Sequence, residues 1–293
     1  MPVRHLMCFG HNAHFLTAIQ MTGMPLINFK MKNTTIEWTD KSHNFWHGCS
    51  KISSGCKYCY MYRNKAKNKE DGSKIYRLSE KTFYSPYSIK EPLKIFTNSY
   101  SDFFIQEADS WRQDAWDVIK DTPHLTWQIL TKRPERILEC LPDDWGPNGY
   151  PNVWLGVTIE EQMYFHRAET LAKIPARVRF ISAEPLLEEM DFLVSKNGKR
   201  IIDDFQWVIL GGESGNEYGE YLYRPSEIAW YERAINDLKS QTNVAVFMKQ
   251  LGSHLRKTMK LQHYHGGELA EWPSSLQIRE FPDLNIKMVK KGN

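Results

Sequence analysis

Three cysteines within eleven residues are the feature of this sequence that points most directly to chemistry. Cys49, Cys56 and Cys59 share one polar loop, and the chain contains five cysteines in all. An odd number, with three so close together, is a poor framework for disulfides and favours a metal site in a reducing compartment. Three thiolates can bind three irons of a cubane cluster and leave the fourth iron open to a ligand. The loop therefore favours an iron–sulfur cluster.

A structural zinc site is the competing interpretation of the same loop. Its ligands would be the three cysteines together with His47 or His43, and the Cys-x-x-Cys spacing is common to zinc and iron–sulfur sites. Cys140 follows Leu138 near a predicted helix end and is expected to pack rather than to bind metal. The loop by itself leaves both kinds of metal site open.

Alternating strands and helices must position this loop. Six short apolar, β-branched or aromatic runs end abruptly in polar residues or glycine and predict strands at Leu93–Thr97, Thr126–Leu130, Val153–Val157, Val178–Ile181, Trp207–Leu210 and Val244–Met248. Amphipathic patterns between them predict helices at Asp109–Lys120, Glu160–Lys173 and Pro225–Ser240. Such alternation predicts an α/β fold with parallel strands, either a doubly wound sheet or a partial or complete (β/α) barrel.

Polar residues follow every predicted strand. They are Asn98, Ser99 and Asp102; Thr131, Lys132 and Arg133; Thr158 and Glu160; Ser182 and Glu184; Gly211, Gly212, Glu213 and Ser214; and Lys249 and Gln250. Both candidate folds carry their sites at the carboxyl ends of parallel strands. Any one of these groups could cap a helix, but six along one edge predict a site.

The composition is that of a globular protein, with 293 residues of which 41% are hydrophobic and 25% charged. No apolar run is long enough to cross a bilayer, so no membrane partner is expected. The cysteine usage favours a reducing compartment and the first thirty residues show no signal-peptide pattern, so a cytoplasmic protein is expected. The pattern predicts three parts: a mobile N-terminal extension (residues 1–30), a barrel domain (31–255) and a C-terminal extension (256–293).

A basic, aromatic segment follows the cysteine loop. Its seven basic residues are Arg63, Lys65, Lys67, Lys69, Lys74, Arg77 and Lys81, and several tyrosines are interleaved with them. This combination suits a phosphate backbone with stacked bases, although a solvated helix face explains it equally well. The net charge of +3 is too small to indicate a polyanionic partner by itself.

One known family resembles this sequence over roughly residues 31–255. Cys56-Lys57-Tyr58-Cys59 looks like the second half of the radical S-adenosylmethionine (radical SAM) signature. The wider pattern comprises Glu37–Asp40, the loop ending at Tyr60, Asn98–Asp102, Gln128–Pro134, Asn152–Val157, Arg179–Leu187, Trp207–Gly215 and Phe247–Gly252. It is similar to an uncharacterised, largely phage- and mobile-element-borne family of three-cysteine-motif, radical-SAM-like proteins.

The resemblance implies a partial (β/α) barrel of the radical SAM type with a [4Fe–4S] cluster, S-adenosylmethionine (SAM) as cofactor and an electron donor of the flavodoxin or ferredoxin type. Cys49, Cys56 and Cys59 would then bind the cluster, and Tyr58 would lie beside the adenine of SAM. Gly211-Gly212-Glu213 spells the family's amino-binding motif, but it comes too late in the chain to take that role.

The polar strand ends supply the remaining expected roles. Asp102 or Asn98, next to Ser99, would hold the SAM ammonium, because a buried cation needs an acidic or carbonyl partner. Lys132 or Arg133 would bind the SAM carboxylate, and Glu160 or Glu184 the ribose hydroxyls. Glu213 and Lys249 remain for catalysis on the substrate.

The leading hypothesis is therefore a radical SAM enzyme that reductively cleaves SAM and acts on a nucleic acid or nucleotide. A zinc-stapled nucleic-acid-binding protein is the first alternative. The second is an iron–sulfur redox or interaction module that serves a partner protein.

Overall fold

Seven parallel strands form one sheet in the computed structural model, which describes residues 34–284. The strands are β1 (Lys41–His43), β2 (Lys94–Thr97), β3 (Thr126–Thr131), β4 (Val153–Thr158), β5 (Val178–Ala183), β6 (Trp207–Gly211) and β7 (Ala245–Gln250). Each strand pairs with the next one along the chain. A doubly wound sheet reverses its strand order, whereas this one curves without reversal into a half-barrel with β1 and β7 at its edges. The predicted α/β fold and partial barrel are confirmed.

Helices fill the connections between the strands. They are α1 (Tyr60–Lys67), α2 (Glu80–Phe83), α3 (Asp109–Asp121), α4 (Ile137–Cys140), α5 (His166–Leu171), α6 (Ile228–Gln241) and α7 (Gly252–Thr258). The longer helices α3 and α6 bury one stripe each, for example Trp116 with Ile119 and Tyr231 with Leu238. Two short antiparallel ribbons, Trp46–His47 with Tyr76–Arg77 and Ser195–Lys196 with Lys199–Arg200, complete the regular structure.

Most predicted elements agree with the structure, and three differ. The six predicted strands are present within two residues at each end, but β1 was not predicted. The predicted helix Glu160–Lys173 is wrong in length, because only His166–Leu171 is α-helical and Glu160 lies in the loop before it. Helix α6 begins at Ile228, so Pro225 precedes the helix.

The inner face of the half-barrel has an apolar floor and a polar upper layer. Trp38, Phe96, Trp154, Phe180, Trp207 and Phe247 form one buried cluster on this face. Because strand side chains alternate, the inward residue two positions later is polar on several strands: Asn98 after Phe96, Ser182 after Phe180, and Lys249 after Phe247. The aromatic floor therefore closes the barrel below, and the polar layer lines the space above it.

The segment after α7 belongs to the barrel. Met248 N donates to Ile278 O (2.8 Å) and Glu280 N to Val246 O (2.9 Å), so the chain covers the free edge of β7. Trp272 and Leu276 are buried in the main core. The predicted domain boundary at residue 255 falls inside α7, and the fold continues to the end of the described residues.

The predicted N-terminal extension (1–30) and residues 285–293 of the predicted C-terminal extension lie outside the described residues. Among residues 34–284, no helix is long and apolar enough to cross a membrane.

Candidate functional site

A cavity of about 1110 Å³ opens above the aromatic floor, at the carboxyl ends of the strands. The three clustered cysteines line it together with Asn98, Ser99, Asp102, Lys132, Arg133, Glu184 and Lys249. Three predicted site residues, Tyr58, Glu160 and Glu213, are not among its lining residues. The strand-end residues and the cysteine loop thus meet in one place, although the sequence separates them by up to two hundred residues.

The cysteine loop begins just after β1 and ends at α1, whose first residue follows Cys59. All three thiols are free and half-buried. They are close enough to one another that an ionised Cys56 or Cys59 raises the pKa of Cys49. Burial and the charge of Asp102 are the larger causes and raise the pKa of Cys49 to about 12. Binding of a metal there would therefore have to displace a proton from this thiol.

Arg133, at the end of β3, holds the first half of the loop. Its Nη2 donates to the carbonyl and the hydroxyl oxygen of Ser50 (3.0 and 2.7 Å), and its Nη1 lies 3.9 Å from the Cys49 sulfur. Nη1 also donates to Asp102 (3.0 Å). Arg133 is buried and orients the cysteine loop through these bonds, while its predicted role in binding a SAM carboxylate stays a prediction.

Asp102 is equally occupied. Its carboxylate accepts from the Thr131 hydroxyl (2.7 Å) and from the backbone N–H groups of Lys132 and Phe104 (3.0 and 2.9 Å), besides Arg133. Four donors satisfy a buried carboxylate. Asp102 therefore organises the end of β3, and the predicted contact with a SAM ammonium has no free oxygen to use.

Glu160 holds the second half of the loop from below. It is completely buried, accepts from the Ser53 hydroxyl (2.5 Å) and forms an ion pair with Arg167 (2.7 Å). A Cβ at Gly55 would lie 2.3 Å from the Glu160 carboxylate, so the loop can approach this closely only with glycine there. Glu160 is an anchor of the loop and does not line the cavity, and the predicted ribose contact stays a prediction.

Glu213 acts through Arg224. Its two oxygens accept from Arg224 Nε (2.9 Å) and Nη2 (2.5 Å), and Arg224 Nη1 donates to the carbonyl oxygen of Ser54 (3.1 Å). This pair clamps the outer side of the cysteine loop. Glu213 was predicted to be catalytic, but its carboxylate is turned towards Arg224 outside the cavity wall.

Lys132 brings positive charge to the thiols. Its ammonium lies 3.7 Å from Glu160 and remains partly exposed to the cavity. Burial alone would raise the pKa of Cys56, but Lys132 and hydrogen bonds from the backbone of Ile52 and from Ser53 lower it below its usual value. Lys132 was predicted to be a cofactor ligand, and its ammonium is still accessible from the cavity.

Lys249 and Glu184 form the opposite wall. The Lys249 ammonium pairs with Glu184 (2.8 Å), which also accepts from the Ser182 hydroxyl (3.0 Å). Glu37, which precedes β1, lines the same wall, and burial raises the pKa of its carboxyl while the charge of Lys249 opposes the shift. Two carboxylates therefore face one half-buried lysine across the open side of the half-barrel.

Asn98 and the tyrosines complete the mouth. Asn98 has a left-handed backbone (φ 59°) and accepts from Phe45 N (3.0 Å), while its buried amide nitrogen has no partner within residues 34–284. That nitrogen can donate to a ligand in the cavity. Tyr58 packs against Arg224 and does not line the cavity, whereas Tyr60 and Tyr62 do.

The two candidate zinc histidines lie away from the thiols. His43 is buried against Phe45 and Trp127, and His47 stacks on Tyr100; neither lines the cavity. Across the described part of the chain, no group of three or more His, Cys, Asp or Glu is arranged to hold a single metal ion. A cubane makes a different demand, since each cysteine binds its own iron.

Three free thiols on one wall, with Lys132 and Arg133 beside them, fit the donor set of such a cluster. The cations can balance the charge of the thiolates, and the large cavity leaves room for a ligand on the open iron.

The basic segment after the loop is only partly free. Arg63 and Lys65 are buried, Lys65 pairs with Glu70, and Arg77 pairs with Glu80 and Asp114. The other four lysines are exposed. The internal pairs weaken the sequence-based case for a nucleic-acid surface here.

Several residues of the site were not predicted. Arg224 follows Tyr223 with no flanking motif, and Arg63 was visible only as one of many basic residues. His263, His265 and Arg279 line the cavity from the segment that was predicted to lie outside the domain. A correct domain boundary would have been the signal that brought these three into consideration.

A family model described as "Protein of unknown function (DUF5131)" matches residues 33–277. No curated protein and no solved structure matches the chain.

Proposed function

We propose that this chain, which belongs to the DUF5131 family, is an iron–sulfur enzyme of the radical SAM type. Cys49, Cys56 and Cys59 would hold a [4Fe–4S] cluster in the mouth of the half-barrel. When bound, the reduced cluster supplies one electron that splits SAM into methionine and a 5′-deoxyadenosyl radical. The electron would come from a flavodoxin- or ferredoxin-type donor.

The observation that carries this proposal is the convergence of three free thiols and polar strand ends on one large cavity. A cluster that only transferred electrons would need a fourth ligand and little open space. Here the wall beside the thiols carries Lys132 and the unpartnered amide of Asn98, which suit the carboxylate and other polar groups of a bound cofactor.

The surrounding residues hold the loop rather than bind cofactor. Arg133, Glu160 and Arg224 fix three points of the loop, at Ser50, Ser53 and Ser54. These three contacts hold the loop in place even though six residues separate Cys49 from Cys56. Lys249 and Glu184 remain on the opposite wall for the substrate.

Iron binding is tested by anaerobic reconstitution with iron and sulfide. We expect about four irons and four sulfides per chain and a brown colour. Cys56→Ala should lose most of the iron, whereas Cys140→Ala, which changes a thiol outside the cavity, should retain it. Stoichiometric zinc without iron after anaerobic purification would contradict the proposal.

The chemistry is tested by adding SAM and dithionite to the loaded protein and measuring nucleosides by chromatography. We expect 5′-deoxyadenosine from abortive turnover even without a substrate. Cys59→Ala should yield none. A fully loaded and reduced cluster that releases no 5′-deoxyadenosine would favour the redox-module alternative.

A further inference from the structure

One wall of the cavity carries positive charge that the proposed cofactors do not use. Arg63 lies on α1, where its backbone N–H donates to Cys59 O, one turn from the last cysteine. The side chain is 7% exposed and lines the cavity. Its Nη1 donates to Ser214 O (3.0 Å), and no carboxylate within residues 34–284 forms an ion pair with it. The guanidinium therefore has donors left for a ligand.

His265 lies on the same wall, in a left-handed conformation (φ 62°). Burial and the nearby charges of Arg63, Lys249, Arg256 and His263 lower its pKa to about 4. Of the arginine and lysine side chains in this set, only Lys249 has a carboxylate at ion-pair distance in the described structure. The buried Nε of Arg256 also lacks a partner there.

The acids on this side of the cavity serve other cations. The carboxyl of Glu37 interacts electrostatically with Lys249, Glu184 and Arg279. Glu268 interacts in the same way with Arg279. Arg63 and His265 thus lie in a region of positive charge that no carboxylate in the described structure pairs with, and Arg63 itself is buried from water. Such a region attracts an anion strongly, because little solvent competes for the charge.

We propose that Arg63 and His265 form a subsite for the phosphate of a nucleotide substrate, with its base against the ring of Tyr264. The planar guanidinium matches phosphate oxygens in a bidentate contact. Tyr264 lies at the cavity rim, is 70% exposed and has its ring 3.5 Å from that of His265. An exposed ring beside a phosphate site is how proteins stack a base. The substrate assignment rests on the proposed function, whereas binding at the subsite can be measured separately.

The test uses the full chain after anaerobic reconstitution, with calorimetric titration of three probes: cytidine 5′-monophosphate, cytidine and sulfate. A pyrimidine nucleotide is chosen because it does not mimic the adenosine of SAM. We expect the nucleotide to bind most tightly, sulfate more weakly and cytidine weakest. Arg63→Gln should lower nucleotide affinity roughly ten- to hundredfold. Tyr264→Ala should lower nucleotide affinity but leave sulfate affinity unchanged.

Three further variants separate recognition from folding. Arg63→Lys keeps the charge without the fork and should give an intermediate loss. Lys120→Gln removes one positive charge at an exposed pair with Asp144 and should change nothing. His265→Asn preserves the left-handed backbone, which asparagine tolerates, and should weaken both anions.

A pH series measures a change in anion affinity that a merely structural role of His265 would not produce. A bound anion favours protonated His265, so wild-type sulfate affinity should rise as pH falls from 7 to 5, and the rise should vanish in His265→Asn. Sulfate itself does not titrate in this range.

Iron content is measured in every sample so that the two proposals fail separately. A fully loaded protein that binds neither nucleotide nor sulfate, or in which Arg63→Gln binds like wild type, overturns the subsite alone. Anion binding that depends on Arg63 in a protein without iron supports the subsite and contradicts the cluster. A single-stranded trinucleotide, titrated in parallel, shows whether the bound phosphate comes from a free nucleotide or from a strand.

Discussion

Asp102 shows how one carboxylate can hold the cysteine loop in place from outside it. It holds Arg133, and Arg133 in turn holds Ser50 beside Cys49. A buried arginine without its carboxylate is an uncompensated charge, so removal of Asp102 affects the loop before it affects any ligand in the cavity. The residue's importance lies in positioning.

Asp102→Asn should therefore lower both stability and iron retention. Loss of one partner from a buried pair costs about 3–5 kcal/mol, which denaturant unfolding of the apo protein can measure. Lys120→Gln breaks an exposed pair with Asp144 and should leave the stability nearly unchanged. Normal iron content in Asp102→Asn, with only SAM affinity reduced, would restore the role first predicted for this residue.

His43 gives the fold a sensitivity to acid. Burial lowers the pKa of His43 to about 4 from the usual 6.5 of histidine, so below pH 6.5 the unfolded chain binds a proton that the folded chain does not. Stability should fall as pH drops from about 6.5 towards 4, by about 2 kcal/mol at pH 5 and about 3 kcal/mol in full. Unfolding free energies at pH 7 and pH 5 test this: His43→Gln should remove that part of the difference. An unchanged difference would show that His43 titrates normally.

Residue types in the sequence indicated where the site lies, but not which way each side chain turns. Lys132 lines the cavity, as its position at a strand end suggested, and the loop cysteines line it too. Tyr58 and Glu160 do not, because Tyr58 packs against Arg224, which is distant in the sequence, and Glu160 pairs with Arg167. Such partners are visible only once the chain is folded.

Among the elements, the strands carry the inward side chains that form the floor of the cavity. Gly156 on β4 leaves space for the ring of Phe180 on β5, since a Cβ there would lie 2.3–2.5 Å from three ring carbons. The six longer strands were predictable from their apolar runs. The first strand was not, because β1 has three residues, Lys-Ser-His, and owes its place to pairing with β2.

Gly156→Ala should destabilise the barrel by about 1–3 kcal/mol, because the methyl group forces the aromatic floor to move. Phe180→Leu relieves the same contact, so the double variant should lose less stability than the sum of the two single changes. Thermal and urea unfolding of the four proteins form a complete cycle. Strict additivity would mean that the floor adjusts without using the space of Phe180.

At the scale of the whole molecule, the C-terminal segment completes the open side of the half-barrel. Arg279 donates to the carbonyl oxygens of Met248 and Lys249 (3.1 and 2.8 Å), which fixes the end of β7. The same segment supplies His265 and Tyr264 to the cavity wall. A compact domain that ended with the last predicted strand would lack both this support and one wall of the cavity.

Truncation tests this view of the domain. A chain that ends after Leu255 loses the buried Trp272 and Leu276 and the residues that pair with β7. A buried tryptophan alone contributes about 3–5 kcal/mol, out of a typical total of about 5–15 kcal/mol for a domain. We expect this chain to unfold or to melt far below the full-length protein and to retain little iron. A chain that ends after Leu284 keeps every described contact of the segment and should melt within a few degrees of the full-length protein. Equal melting temperatures for the two truncations would show that the barrel ends at α7, as the sequence first suggested.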